Sequence, residues 1–230
     1  MKLLTVTTWN NKLFGAYAHR FQSTYNWSFP LKVYNEDGDM FDEIPNCKQF
    51  VERNKGRHKY TSYEEKTNDY RKDGVRFCYK VYAFTHAILN EDVDGIIGID
   101  ADSVFYKSID EQWFKKHIHR DNCMMTYLGR PNYSECGFLY FNLNHKDTKD
   151  YAKYVQELYD NDDIYNLEEQ HDSYIWDYAR MKFERERNIK NFNIGDNKVG
   201  HVQARSVLGS IYDHTKGRRK LNGRSPEAVI

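Results

Sequence analysis

The chain has 230 residues, with 34 basic and 34 acidic side chains and a formal net charge of +0. That length suits one fairly large domain with a real core, and the charge balance removes any argument from global charge for nucleic acid or a membrane surface as partner. No run approaches the ~18 apolar residues of a membrane span, and the opening from Met1 to Thr8 is too short and too β-like for a signal peptide. The expectation is a soluble, cytoplasmic protein.

Leu3 to Thr8 is apolar and β-branched and reads as a buried first strand. Residues 12–26 carry Phe14, Tyr17, Ala18, Phe21 and Tyr25 at helical spacing, so a helix follows. Pro30 resets the chain, Leu31 to Tyr34 reads as a second strand, and Asn35 to Gly38 as a turn. This strand–helix–strand opening predicts parallel pairing. Residues 41–72 are polar; Arg53, Lys55, Arg57, His58 and Lys59 form a basic run, but acids follow at once, so a solvated loop with some helix is the expectation. Arg76 to Leu89 reads as a helix, with Val81, Phe84, Ile88 and Leu89 recurring at three to four.

The stretch from Asp94 to Phe105 is a short apolar strand that runs into Asp100-Ala101-Asp102. Ile109 to Lys116 is a short helix behind Ser108 as N-cap. Cys123 to Tyr127 and Gly137 to Leu143 read as strands, Tyr151 to Tyr159 and His171 to Met181 as helices, and Ile189 to Ile194 as a last strand. The tail from Ser206 is basic and without clear periodicity. The four cysteines, Cys47, Cys78, Cys123 and Cys136, form no CxxC pair and read as small buried hydrophobes in a reducing compartment. Aromatics are 16% of the chain, with 19 Tyr, which suits a Tyr-rich core first and a sugar-binding cleft second.

Asp-x-Asp by itself decides little, because it recurs at Asp37-Gly38-Asp39, Asp92-Val93-Asp94 and Asp160-Asn161-Asp162. Asp100-Ala101-Asp102 differs in following a purely apolar strand. Two carboxylates there repel and raise each other's pKa, and a divalent cation removes that cost. Mg²⁺ or Mn²⁺ suits such oxygen ligands; strand-end acids capping the next turn are the plainer alternative. A second constellation is His214-Thr215-Lys216-Gly217-Arg218-Arg219-Lys220. A neutral imidazole makes a third metal ligand, and Mn²⁺ accepts one nitrogen among oxygens better than Mg²⁺ does. Gly217 lets backbone approach a phosphate, and Lys220 brings a compact positive charge to a diphosphate. A basic mobile tail is the alternative reading.

Together, an apolar strand ending in Asp-x-Asp and a distant His-x-x-Gly-x-x-Lys resemble family 8 glycosyltransferases, the glycogenin-like and lipopolysaccharide galactosyltransferase-like enzymes. Further marks follow in the same order along the chain. Val6-Thr7-Thr8-Trp9-Asn10 resembles their first strand and its nucleotide-contacting end. Phe77-Cys78-Tyr79-Lys80-Val81 resembles their Tyr-x-Arg-Leu helix, with Lys80 in place of Arg. Ser134 to Asn142 resembles their acceptor-side Asn-x-Gly strand, with Glu135-Cys136-Gly137 at the motif. His171-Asp172-Ser173-Tyr174-Ile175 resembles their Asp-Gln-x-Ile/Leu helix start, with Ser173 for Gln, and Leu221-Asn222 stands where the family has Pro-Trp.

The resemblance implies an α/β GT-A fold: a Rossmann-like, mixed, mostly parallel sheet flanked by helices, formed by residues 1–230 as one domain. Residues 1–105 form its nucleotide-sugar half, 106–205 its acceptor half and 206–230 a metal and diphosphate segment. It implies a UDP-sugar donor, Mn²⁺ (or Mg²⁺), a hydroxyl acceptor on a glycan, protein or lipid-linked molecule, and retention of configuration. By position, Asp100, Asp102 and His214 bind metal, and Gly217 and Lys220 hold the diphosphate. Thr7 and Thr8 lie near the nucleoside, Lys80 touches phosphate or sugar, and Asp172 lies by the donor sugar. Asp172 is also placed to cap its own helix. Glu135 is either a base for an inverting reaction or a solvated loop acid. Two other functions stay open: a metal-dependent nucleotidyl or phosphoryl transferase, although no P-loop is present, and a non-catalytic nucleotide-sugar-binding protein.

Overall fold

Leu3–Trp9 (β1) is buried along its whole length, as are Gly95–Ile99 (β3) and Glu135–Asn142 (β6). Strands without an exposed face need cover on both sides, and alternate side chains divide between two apolar clusters. Leu4 and Val6 of β1, Ile96 of β3 and Leu139 and Phe141 of β6 join one cluster. Leu3, Ile97, Ile99, Phe138 and Tyr140 join the other. The result is a sheet sandwiched between helical layers, in a computed structural model that describes residues 1–60 and 69–228.

The sheet has six strands in the order β2-β1-β3-β6-β5-β7, adding Leu31–Asn35 (β2), Met125–Leu128 (β5) and Phe192–Asn193 (β7). β1 runs parallel to β2 and to β3, and β7 parallel to β5. The expected α/β architecture, with a mixed and mostly parallel sheet flanked by helices, is present. β6 runs against both neighbours, with Phe138 level with Ile99. Its first residues therefore lie at the carboxyl edge of β3, where the Asp-x-Asp step emerges.

One face is covered by Gly74–Asn90 (α3), Thr148–Asp160 (α5) and Asp172–Arg187 (α6), with Pro45–Arg53 (α2) outside them. The other is covered by the helical segment α1 and by Glu111–His117 (α4). α1 runs through Asn11–Leu13, a π-helical turn Phe14–Ala18 and His19–Thr24. A second, two-stranded sheet pairs Ser103–Phe105 (β4) antiparallel with Tyr212–His214 (β8).

Several elements differ from the sequence reading. α4 starts behind Asp110, whose carboxylate accepts from the Trp113 amide at 2.8 Å, and not behind Ser108. Ile109 is buried in the apolar cluster instead of entering the helix. The strand expected over 189–194 forms only at Phe192–Asn193 and is not the last, because the tail without periodicity holds β8 and the short helix Arg219–Asn222 (α7). The expected polar loop of 41–72 includes 61–68, which lie outside the described residues. In its described part, Arg53 pairs with Asp162 at 2.8 Å and Arg57 lies 3.6 Å over the Tyr165 ring, so these cations fasten α2 to the fold. All four cysteines are free and buried. Among the described residues no helix is long and apolar enough to cross a membrane.

Gly98 lets α3 lie close on β3: a Cβ there meets the Phe84 ring at 2.2 Å. Gly98→Ala is expected to cost about 1–3 kcal/mol through overpacking. Urea denaturation measures it, and an unchanged midpoint would mean that Phe84 has room to move.

Candidate active site

Asp100 follows directly on β3, and the chain turns at once into β4. Ser103 pairs with His214, and the Asp102 carbonyl accepts both the Thr215 amide at 2.9 Å and the Thr215 hydroxyl at 2.6 Å. This short ladder sets the tail's imidazole against the two strand-end carboxylates. His214 Nε2 stands 3.1 Å from Asp102 Oδ1 and 3.4 Å from Asp100 Oδ2. One ligand atom from each of Asp100, Asp102 and His214 falls within 4.8 Å of the others, a spacing that one cation spans.

Two lysines complete the charge balance. Lys80, on α3, reaches Asp100 Oδ1 at 2.6 Å and also pairs with Asp172 at the start of α6. Burial opposes its charge, but Asp100 and Asp172 hold its pKa well above the usual lysine value. Lys220, on α7, lies 2.9 Å from Asp102 Oδ2 and 4.6 Å over the Tyr17 ring of α1. Burial would raise the Asp102 carboxyl, yet His214 and Lys220 hold it far below its ordinary range. Burial would likewise lower His214, yet Asp102, Asp100 and Glu135 push it up to about 10. Gly217 adopts φ +65°, the left-handed region that favours glycine, where the chain turns from β8 to α7.

Glu135 is drawn into the same cluster. Its Oε1 faces His214 Nδ1 at 3.5 Å, while Oε2 pairs with Arg130 at 3.0 Å and with Lys216. Burial would raise the acid; His214, Lys216 and Arg130 bring it down to about 2. Two residues along β6, a Cβ on Gly137 would stand 2.2 Å from His214 Nδ1, so the imidazole is seated directly against bare backbone. Asp172 caps locally as well, accepting from the Ser173 amide at 2.8 Å.

A cavity of about 740 Å³ joins these groups. Its lining includes Asp100, Asp102, Glu135, Asp172, His214, Gly217 and Lys220. Lys80 lies behind it, tied to two of the lining acids. Thr7 and Thr8 are not on its wall: the Thr7 side chain is buried, and the Thr8 hydroxyl donates to Glu36 at 2.7 Å. Both sit near the carboxyl end of β1, beside β3, where Val6 is level with Gly98. The sequence reading missed Arg130, Lys216, Tyr17, Phe77, Tyr133 and His171. Lys216 lay inside the quoted basic motif, whereas nothing local marks Arg130 or Tyr133.

The geometry suits a divalent cation held by two carboxylates and one imidazole nitrogen. His214 must lose its proton to serve. Binding therefore releases about one proton at pH values below about 10, and Mn²⁺ affinity rises with pH up to about 10 by up to about tenfold per unit. EPR titration at several pH values reads this, and affinity independent of pH would contradict it. In the metal-free protein the sign is opposite: the stabilisation from protonated His214 is complete below about 6.5 and fades as pH rises through about 10. Gly137→Ala should push the ring off its seat and weaken Mn²⁺ binding about tenfold or more while the sheet stays folded. Wild-type affinity in that variant would mean that the ring finds another seat.

No protein-family model matches the chain, and no curated protein matches it. Solved structures similar to it include the glycosyltransferase GlyE of Streptococcus pneumoniae TIGR4, at 13% identity, TM-score 0.46, 84% of this chain and 45% of that one. A glycosyltransferase involved in glycosylation of the major capsid of PBCV-1 is similar at 11% identity and TM-score 0.46, over 97% of this chain and 98% of that one. Mouse xyloside xylosyltransferase 1 is similar at 12% identity and TM-score 0.44, over 84% and 85%. The chain thus spans less than half the length of the pneumococcal protein.

Proposed function

We propose that this chain is a metal-dependent glycosyltransferase that moves a sugar from a UDP-sugar to a hydroxyl acceptor with retention of configuration. The observation that carries the reading is the convergence of Asp100, Asp102 and His214 at the carboxyl edge of β3, with Lys220 beside them. One buried and one half-buried carboxylate with one imidazole match the donor preferences of Mn²⁺, with Mg²⁺ as the harder alternative. When bound, the ion supplies positive charge against the donor's diphosphate as that group departs.

The chain's own groups act around it. Lys220 brings an ammonium to the same place, and Gly217 lets the loop come close to phosphate. Thr7 and Thr8 lie on the nucleoside side, at the end of β1. Asp172, held by Lys80, offers a fixed negative charge to an anomeric centre that turns cationic in an oxocarbenium-like transition state. In the metal-free protein His214, Lys216 and Arg130 hold Glu135 at about 2, and its pairs with Lys216 and Arg130 do not depend on the His214 proton, so it stays a poor general base near neutral pH. That supports retention over an inverting course through Glu135. Free, buried cysteines fit a cytoplasmic setting, which is part of the same proposal.

The purified protein is expected to release UDP from at least one common UDP-sugar with Mn²⁺ and to stop in EDTA. Asp102→Asn should lower turnover at least about a hundredfold, with circular dichroism confirming that the variant folds. No metal-dependent UDP release from any common donor would sink the transferase reading, and pyrophosphate as product would favour nucleotidyl transfer. An active Asp102→Asn variant would sink the metal assignment.

A further inference from the structure

The same cavity is also walled by Phe77, Tyr133 and His171, with Arg76 beside them. The Tyr133 and His171 rings meet edge to face at 4.9 Å and 75°, and Phe77 meets His171 at 6.1 Å and 66°. Arg76 lies 6.0 Å over the Phe77 ring. None of the three rings belongs to either apolar cluster of the core.

This wall is locked in place. The His171 Nε2 meets Glu169 at 2.7 Å, and Nδ1 accepts from the Tyr174 amide at 3.4 Å as the N-cap of α6. Glu169 is itself buried and receives Arg71 Nη1 at 2.9 Å. A single buried carboxylate thus fixes the His171 ring and an arginine, and the Tyr133 ring packs edge to face on that imidazole. Rings already fixed lose little freedom when a ligand lands on them, which is how a binding surface differs from a loose aromatic edge.

A cavity lined both by charged, metal-ligating groups and by packed rings suits different parts of a reacting pair. The sheet order places β1 and β2 on one side of Asp100 and β6 on the other. Phe77 and His171 stand at the starts of α3 and α6, and Tyr133 just ahead of β6. If the diphosphate sits at Asp100 and Asp102 with the donor sugar at Asp172, as the transferase reading has it, the rings next to Asp172 are left for the acceptor. A pyranose has an apolar C–H face that packs on aromatic rings and a rim of hydroxyls that accept from a guanidinium. An extended peptide or a lipid chain leaves that division of the wall unused.

Resting on the transferase reading, we propose that Phe77, Tyr133 and His171 form the acceptor seat and that the acceptor is a carbohydrate, stacked by its C–H face on the rings with Arg76 toward its hydroxyls. The probes are methyl α- and β-glycosides of glucose, galactose, mannose and xylose. Gly-Ser-Gly and Gly-Tyr-Gly peptides serve as non-sugar hydroxyl controls. Saturation-transfer NMR is run on the full chain loaded with Mn²⁺ and UDP. At least one glycoside is expected to take saturation on its ring C–H protons while the peptides do not. Tyr133→Ala and Phe77→Ala should each weaken that glycoside about tenfold, and Tyr133→Phe, which keeps the ring, should stay within about threefold. Affinity for UDP with Mn²⁺ should change less than about twofold in all three variants.

Silence from every glycoside, or saturation of a peptide instead, would overturn the carbohydrate assignment. A parallel loss of UDP affinity would overturn the seat, because the rings would then hold the nucleobase. If the wild-type protein fails to bind UDP with Mn²⁺ at all, the transferase reading itself falls and takes this assignment with it.

Discussion

The site depends on one backbone pairing, Ser103 on β4 against His214 on β8. Asp100 and Asp102 lie a residue apart with their carboxylates near one another, an arrangement that is costly without opposite charge. The tail supplies it. β8 carries the imidazole, α7 carries Lys220, and α3 adds Lys80 from the other side. The same need holds the tail down. Behind His214, buried Asp213 accepts the Ser225 amide at 2.5 Å, and His201 Nε2 lies 3.1 Å from the His214 carbonyl. Basic residues that repel one another in an extended tail become ordered because buried carboxylates await them.

The antiparallel course of β6 is the second constraint. Were β6 parallel to β3, its beginning would lie at the far edge of the sheet. Running against β3, it brings Glu135 and Gly137 to the acids, one as a charge facing Nδ1 and the other as empty space for the ring. Acid and base then alternate across the site, from Asp172 through Lys80, Asp100, His214 and Asp102 to Lys220. Such a chain holds the Asp100 and Asp102 carboxyls below their ordinary range despite burial, the ionised state a cation ligand needs. It also explains why Glu135, attractive as a base when read from sequence, is tied to three cations.

The cavity sits where three helix or strand beginnings meet the carboxyl edge of β3. α3 supplies Phe77 and Lys80, α6 supplies Asp172, and β6 supplies Glu135. Backbone ends at such an edge leave room for ligands, while the sheet beneath stays closed on both faces. The helices are held by apolar packing, as Phe84 against bare Gly98 shows, so the charged groups ride on rigid supports.

What the amino-acid sequence determined by itself is the part governed by local periodicity. The apolar runs of β1 and β3, the helical spacing of α3 and the strand–helix–strand opening fix parallel pairing and the edge from which Asp100 and Asp102 project. The sequence reading puts the cap of α4 at Ser108; Asp110 holds it instead, because Ile109 is buried in the apolar cluster and stays out of the helix. Asp100, Asp102 and His214 were readable as types with the right chemistry, on motifs separated by most of the chain. Tertiary structure alone decided that the patternless tail contains a strand, that Glu135 belongs to His214, and that Tyr133, His171 and Phe77 share one wall. The physical reason is that side-chain periodicity is set by neighbours along the chain, whereas charge compensation and ring packing are set by neighbours in space.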